Sequence, residues 1–297
     1  MHNPAVSVII PTKDRPELLA RCLDGLLAEL RAAPPFEVII GNDFSRYDVA
    51  GQVGVHPLAH VTPVAVVDAV QPGAAGARMG AVARASGEIL GFLDDDATPQ
   101  PGWFAALIAG LEVRGARDAV TGRILPYQDS LLSRSRQARY DERRRSALAQ
   151  PEAPVSFLAG GNFGVRTAVF REVGGFDLRF TMMHDGEFLL RLQRSGGACY
   201  FVDEMVIRHT HVKDPLDAYV NAFRSGRFRV ALSRIYPDQA LRLRRELALA
   251  LRGVAGRRSQ DPWPIQATNS LLHLFHISGL VSSLAFERGS AGIGPRS

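Results

Sequence analysis

The sequence predicts an α/β fold: a mostly parallel sheet flanked by helices, followed by a helical C-terminal extension. Three observations predict it. Strand-type and helix-type patterns alternate through the first hundred residues. The strand segments are apolar throughout, as in strands buried on both faces. Carboxylates (Asp14, Asp43, Asp68 and Asp94–Asp96) recur at or just past the strand ends, where sheets of this kind bind ligands.

"AVSVII" is a β-branched strand that Pro11 is expected to end. "RPELLARCLDGLLAEL" then places Leu19, Cys22, Leu23, Leu26 and Leu30 near a 3.6-residue period, with Asp14 as expected N-cap and Pro16 at the helix start. "PPFEVIIGND" and "VTPVAVVDA" read as the second and third strands. "GAAGARMGAVARASG" is a small-residue helix expected to stop at Gly87, and "EILGFLD" is the fourth strand. Residues 133–150 are polar and Arg-rich, as in an exposed helix or a loop. "FLAGGNFGVRTAVFREVGGFD" reads as a Gly-rich turn and then a helix from about Thr167 to Val173. "HDGEFLLRLQRSG" is a helix with an acidic start and a Gly stop, and "ACYFVDEMVIRHTHV" is strand-like, ending in His209 and His211. After Pro215 the chain reads as helical.

The composition is that of a globular protein: 297 residues, 46% hydrophobic, 22% charged, net charge +5. The positive balance suits an anionic partner such as a nucleotide phosphate or a lipid headgroup. Charge alone also allows nucleic acid, but no interleaving of aromatic and basic residues supports it, so no nucleic-acid partner is expected. All basic residues but Lys13 and Lys213 are arginine. Two cysteines, Cys22 and Cys199, lack metal-ligand or disulfide spacing and read as core thiols in a reducing, cytoplasmic setting. The apolar run Val6–Ile10 is too short for a signal peptide. Ser270–Phe286 is largely apolar but carries His273, His276 and four serines, which is short of a membrane span. With ten arginines between 224 and 258, the region is expected to touch the inner membrane face peripherally, or to pack on protein, including as an oligomer contact.

"GFLDDDATPQ" (91–100) poses the sharpest chemical question, because an apolar strand runs into three mutually repelling carboxylates. A solvated turn accommodates aspartates, and Pro99 and Pro101 follow closely. A cation held among them turns the repulsion into attraction. The converging acidic rim at the other strand ends favours the cation.

"VSVIIPTKDRPELLARCLDGLL", "EVIIGNDFS", "GARMGAVARASGEILGFLDDD", "GGNFGVRTAVFREVGGFD" and "HDGEFLLRL" occur in this order. Together they resemble the family 2 glycosyltransferases, which have a GT-A (Rossmann-like) fold and use a nucleotide-sugar donor with a divalent metal. The resemblance covers residues 5–212. It implies a catalytic domain over 1–222, with a nucleotide half to about 100 and an acceptor half beyond, and an extension over 223–297. It places Pro11 and Thr12 along the nucleotide, Asp14 and Arg15 near base and phosphates, Asp43 at the base and Arg78 on the nucleotide. Asn42 and Met79 stand where the family often has Asp and Asn. Asp96 is implied as ligand of Mg2+ or Mn2+, and Asp94 or Asp95 as the contact to ribose or sugar. Asp185 is implied as catalytic base of an inverting reaction, with His184 where the family usually has Glu. A carboxylate there accepts the acceptor hydroxyl's proton; as an alternative it caps its helix. His209 and His211 stand where some members place a metal-ligating His, and as alternate residues of a strand they share a face. Gly160, Gly161 and Asn162 are expected to shape the donor and acceptor pocket, and Phe176 and Asp177 to brace the fold.

The implied reaction moves a sugar from a nucleotide-diphosphate donor, UDP-sugar favoured, to a saccharide or lipid-linked acceptor in bacterial polysaccharide or glycolipid assembly. Two alternatives compete. A nucleotidyltransferase would show a Gly-rich phosphate loop after the first strand, and "PTKDRPELL" has none. A non-catalytic nucleotide-binding scaffold fits Asn42, Met79 and His184, but not the retained carboxylates.

Overall fold

The computed structural model describes residues 4–210, 215–239 and 262–290. The chain forms two compact units, one from residues 1–127 and 139–210, the other from 128–138 and 211–297. In chain order the first unit contains β1 (Val6–Thr12), α1 (Pro16–Glu29), β2 (Phe36–Asn42), α2 (Val49–Gly54), β3 (Val64–Asp68), α3 (Ala74–Arg84) and β4 (Ile89–Leu93). There follow β5 (Ala97–Pro99), α4 (Trp103–Glu112), β6 (Ala119–Pro126), β7 (Asn162–Arg166), α6 (Thr167–Glu172), α7 (His184–Arg194) and β8 (Cys199–His209). α5 (Leu131–Ala149) starts in the second unit and ends in the first.

The eight strands form one sheet in the order β3-β2-β1-β4-β7-β6-β8-β5. β3, β2, β1 and β4 are mutually parallel, as are β6 and β8. β7 runs antiparallel between β4 and β6, and β5 antiparallel to β8. Successive side chains of a strand point to opposite faces, and here both faces are covered. Val6, Val8 and Ile10 pack with Leu19, Leu23 and Leu26 of α1, whereas Ile9 packs with Ile39, Leu90, Phe92 and Phe163 on the other side. The Phe92 and Phe163 rings stack at 4.2 Å between centroids. Two buried faces are the reason the strands read as unbroken apolar runs. Both cysteines are free and buried.

Four local expectations are corrected. Pro11 does not end β1, which continues to Thr12. The Thr12 carbonyl accepts from Asp43 N–H on the β2 side, so Pro11 turns its missing N–H toward β4, whose pairing with β1 stops at Ile9. Asp14 is not the N-cap of α1; Arg15 holds that position, and Asp14 sits at φ 51 with its carboxylate on Arg46. α3 stops at Ala85 rather than Gly87. Gly87 instead donates to Ser7 Oγ at 2.8 Å, where a Cβ would strike the Ser7 backbone. The Gly-rich turn at 160–161 opens directly into β7, a strand that its glycines and polar Asn162 conceal from a periodicity reading. The Arg-rich segment is helical, and the Gly stop after α7 is present, with Gly196 at φ 84.

In the second unit α8 (Pro215–Ile235) packs against a long helix, α9 (Trp263–Ser290). A Cβ on Gly226 would collide with the His276 carbonyl, and one on Gly279 with the Phe223 carbonyl. Glycine at both positions lets the backbones approach this closely. Tyr219 and Phe275 meet at 4.9 Å between ring centroids. No helix among the described residues is long and apolar enough to cross a membrane.

Candidate active site

The carboxyl ends of β1, β2 and β4 deliver Thr12, Asp43 and Asp94 to one rim of the sheet. Antiparallel pairing of β7 with β4 sets Asn162 opposite Leu93, which brings the preceding glycines beside the acidic triplet. The end of β8 pairs with β5 in the register Ala97↔His209 and swings His209 to the same place.

Each aspartate of the triplet has its own partners. Arg78, itself buried, donates to Asp94 Oδ1 and also reaches the Gly160 carbonyl at 3.3 Å. Asp95 accepts from Thr12 Oγ1 at 2.9 Å and Arg15 Nη1 at 3.1 Å. Asp96 meets Arg15 Nη1 at 3.3 Å and His209 Nε2 at 3.1 Å. Burial opposes ionisation of Asp94, yet the Arg78 guanidinium, then His209, hold its carboxyl well below the usual range. Burial pushes Asp95 up to about 6, and Arg15 offsets this only in part. Burial pulls His209 down, but the carboxylates of Asp94 and Asp96 outweigh it and push the imidazole up to about 10. The spot between these side chains therefore attracts positive charge.

One ligand atom each from Asp94, Asp96 and His209 falls within 4.8 Å of the others. Two carboxylate oxygens and an imidazole nitrogen fit a small divalent cation that completes its shell with phosphate oxygens or water. This grouping includes Asp94, expected at the sugar, alongside Asp96 and His209. His211 lies outside the described residues.

Asp185 is the second residue of α7, two after the N-cap Met183. Met183 before it sits at φ 57, in the left-handed region that non-glycine residues rarely adopt. The Asp185 carboxylate accepts from Gly160 N–H at 3.1 Å and Gly186 N–H at 2.8 Å. A Cβ on Gly160 would lie 3.1 Å from Asp185 Oδ2, and one on Gly161 would clash with Asp94 Oδ2. Of two successive glycines, Gly160 thus packs tightly on the Asp185 carboxylate and Gly161 on that of Asp94, where a side chain would collide. Asp14 (φ 51) and Phe44 (φ 52) are the other two non-glycine residues at positive φ among the described residues, and both follow strands of this rim. Strain of this kind gathers where a site must be held in shape.

His184 contributes more than its neighbourhood in sequence suggested. Its Nε2 stands 2.7 Å from Arg78 Nη1. Arginine only donates, so this nitrogen accepts and the proton resides on Nδ1. Burial, then Arg78, hold the imidazole down at about 4, so it is neutral.

The remaining predicted residues fall into two groups. Asp43 accepts from Gly73 N–H at 2.8 Å and pairs with Lys13 at 3.3 Å, at the end of β2. Pro11, Thr12 and Arg15 line the same corner. Asp14 is drawn aside by Arg46, tying the loop after β1 to the loop after β2. Asn162 is fully buried; it donates to the carbonyls of Arg123 and Met205 and accepts from Trp103 Nε1, so it braces the glycine pair from behind. Phe176 packs in the aromatic cluster with Phe92, Phe170 and His184, and Asp177 binds Arg179. Sequence reading missed Lys13, whose only signal is that lysine is rare in this chain, and His184, which read as a departure from the family's acidic pair.

Comparison with known proteins agrees with this architecture. The chain is 24% identical over 264 residues to the glycosyltransferase AglE of Haloferax volcanii, covering 87% of this chain and 83% of that one. It is 28% identical over 214 residues to the pre-mycofactocin glycosyltransferase of Mycobacterium tuberculosis, covering 69% of this chain but 43% of that protein. Among solved structures, a mannosyltransferase of Pyrobaculum calidifontis in complex with GDP-Man and Mn2+ superposes with a TM-score of 0.62 at 20% identity, over 100% of this chain and 77% of that one. GalNAc-T7 with UDP, GalNAc and Mn2+ gives 0.55 at 16% identity, over 71% and 44%. These likenesses at low identity establish the GT-A fold. Residues 7–174, more than half of the chain, match the family described as Glycosyl transferase family 2, and the chain belongs to that family as a glycosyltransferase of GT-A fold.

Proposed function

We propose that the protein is an inverting, divalent-metal-dependent transferase that moves a sugar from a nucleotide-diphosphate donor to a hydroxyl of a saccharide or lipid-linked acceptor. The observation that carries this reading is the glycine pair 160–161, with the Asp185 carboxylate against Gly160 and Asp94 of the Asp94–Asp96–His209 cluster against Gly161. Donor and acceptor then meet over that backbone.

The nucleotide fits the corner formed by Pro11, Thr12, Arg15 and Asp43, with Asp43 and Lys13 toward the base. A UDP-sugar is the favoured donor; relatives in fold were solved with GDP-Man and with UDP. Mg2+ or Mn2+ held by Asp94, Asp96 and His209 would neutralise the diphosphate and stabilise it as leaving group. Arg78 holds Asp94 ionised, and Arg15 holds Asp95 and Asp96 in place. Asp185 takes the proton of the acceptor hydroxyl as its oxygen bonds to the anomeric carbon and the bond to the diphosphate breaks. One displacement inverts the anomeric centre. The catalytic part is residues 1–222, with 223–297 as an extension, and the setting is polysaccharide or glycolipid assembly.

A panel of UDP-, GDP- and dTDP-sugars with Mn2+, Mg2+ or chelator tests this. A UDP-sugar should release nucleoside diphosphate fastest, only with metal, and NMR of the glycoside should show inverted configuration. Turnover insensitive to chelator overturns the metal assignment. A retained anomer overturns the single displacement, and preference for another nucleotide overturns the base assignment.

A further inference from the structure

We propose that the acceptor carries an anionic group, a phosphate or a carboxylate, and that Arg123 and Arg143 bind it in a pocket beside Asp185. The proposal rests on the transferase reading and names the class of its second substrate. The pocket lies within the first unit. The end of β6 (Gly122, Arg123), the second half of α5 (Tyr140, Arg143, Arg144), Phe157, Ala159 and Phe201 line it. A turn ties it to the site. Asn162 N–H closes the turn from Ala159 by donating to the Ala159 carbonyl at 2.8 Å. Ala159 lines the pocket, Gly160 N–H donates to Asp185, and Gly161 packs on Asp94. Three successive residues thus meet the pocket, the base and the cation cluster in that order.

A bulge gives Arg123 its place. The register of β6 on β8 shifts between Gly122 and Arg123. Asn162 Nδ2 donates to the carbonyls of Arg123 and Met205 at 3.0 and 2.9 Å. A Cβ on Gly122 would strike both that Nδ2 and the Met205 carbonyl. Bulges of this kind re-aim a side chain beside a site. Here the side chain keeps an unanswered charge. Arg123 is half-buried, and its Nε is buried with no hydrogen-bond partner. The nearby Asp203 carboxylate is already taken by Arg144, through Nε at 2.5 Å and Nη2 at 2.6 Å, so Arg123 acts on it only through its field. Arg143, exposed at the rim, holds its guanidinium over the Phe157 ring, 5.1 Å from the centroid. Asp141 is the one carboxylate lining the pocket, against three arginines. Burying a charge without a partner is costly, and the planar N–H fork of arginine matches phosphate or carboxylate oxygens. Tyr140, Phe157 and Phe201 supply apolar walls for the ring that bears the anion.

Binding tests this without turnover. The full chain, saturated with UDP and Mn2+, is titrated calorimetrically with glucose 6-phosphate, glucuronic acid and methyl glucoside. An anionic sugar should bind about ten-fold or more tightly than the neutral one, and the tighter of the two anions tells whether phosphate or carboxylate is read. Arg123→Gln should weaken that anion by about ten- to a hundred-fold, and Arg143→Gln by less, with UDP affinity unchanged in both. Arg123→Lys, which keeps the charge without the fork, should fall between wild type and Arg123→Gln. Anion binding that persists while UDP fails to bind refutes the donor assignment alone. Binding that appears only when UDP is left out places the anion in the nucleotide corner and overturns the proposal. So do equal affinity for methyl glucoside, an anion affinity untouched by Arg123→Gln, and no binding of either anionic sugar.

Discussion

Two carboxylate regions face each other across Gly160 and Gly161, and their partners are of opposite kinds. Asp94, Asp95 and Asp96 are met by Arg78, Arg15 and His209. Asp185 is held by the neutral backbone N–H groups of Gly160 and Gly186. Among these cationic side chains Asp94 is kept ionised, and the cluster as a whole is a seat for charge. A carboxylate on neutral donors keeps a fixed direction without a counter-ion, which suits a group that must receive a proton. In the proposed mechanism the same residue type serves binding in one place and proton transfer in the other, according to what surrounds it.

Substitution can break this contrast, most strongly at the base. Asp185→Asn preserves the acceptor for Gly160 N–H but not the basic oxygen. Transfer should fall by about 10²–10⁴ with donor affinity unchanged. An Asn variant with full activity would place the base elsewhere.

The cation side should respond in binding. Asp96→Ala should lower Mn2+ affinity in calorimetric titration by about 10–100-fold or more and remove the metal dependence of donor binding. The fold should persist, because the Asp96 side chain is partly open to solvent. Unaltered metal affinity in this variant would mean that the acidic triplet is structural.

The smallest effect tests the link between the two regions. His184 touches Arg78 of one and precedes Asp185 of the other. Its folded value of about 4 lies below the 6.5 of an unperturbed histidine. The unfolded chain therefore takes up the proton first, and the stability from neutral His184 is complete above pH 6.5 and lost as pH falls toward 4. His184→Gln keeps an acceptor for Arg78 but does not titrate. The melting temperature of the wild type should drop relative to this variant over that interval; parallel curves would show that the imidazole does not titrate on unfolding.

Much of the nucleotide half was legible because its signals are local. Unbroken apolar runs gave β1 to β4, 3.6-residue spacing gave α1, and the acidic residues at strand ends marked the rim. In the second half α6, α7 and β8 fall where their residues predict them, whereas β7, α4 and β6 were hidden for an equally physical reason. β7 contains one glycine and a buried Asn and follows two more glycines, so its strand character comes from pairing with β4 and β6 rather than from its own residues. α4 and β6 carry no motif and drew no expectation. Asp14 resembled an N-cap by position, but the Arg46 backbone and side chain compete for its carboxylate more effectively than the helix end.

Sequence by itself determined the fold class, the buried strands and the residue types at the site: Asp94–Asp96, Asp185, Arg78 and His209. The fold features follow from periodicity and the acidic triplet from its mutual repulsion, whereas Asp185, Arg78 and His209 follow from the resemblance to family 2 glycosyltransferases. Only the tertiary structure decided their partnerships. The register of β7 on β4 sets the glycine pair between Asp94 and Asp185, and the register of β5 on β8 joins His209 to Asp96. Arg78 fixes the neutral tautomer of His184, and α8 decides which face of α9 stays exposed. Register and helix facing are set by long-range packing, where a shift of one residue reverses every side chain of a strand, and no local pattern encodes them.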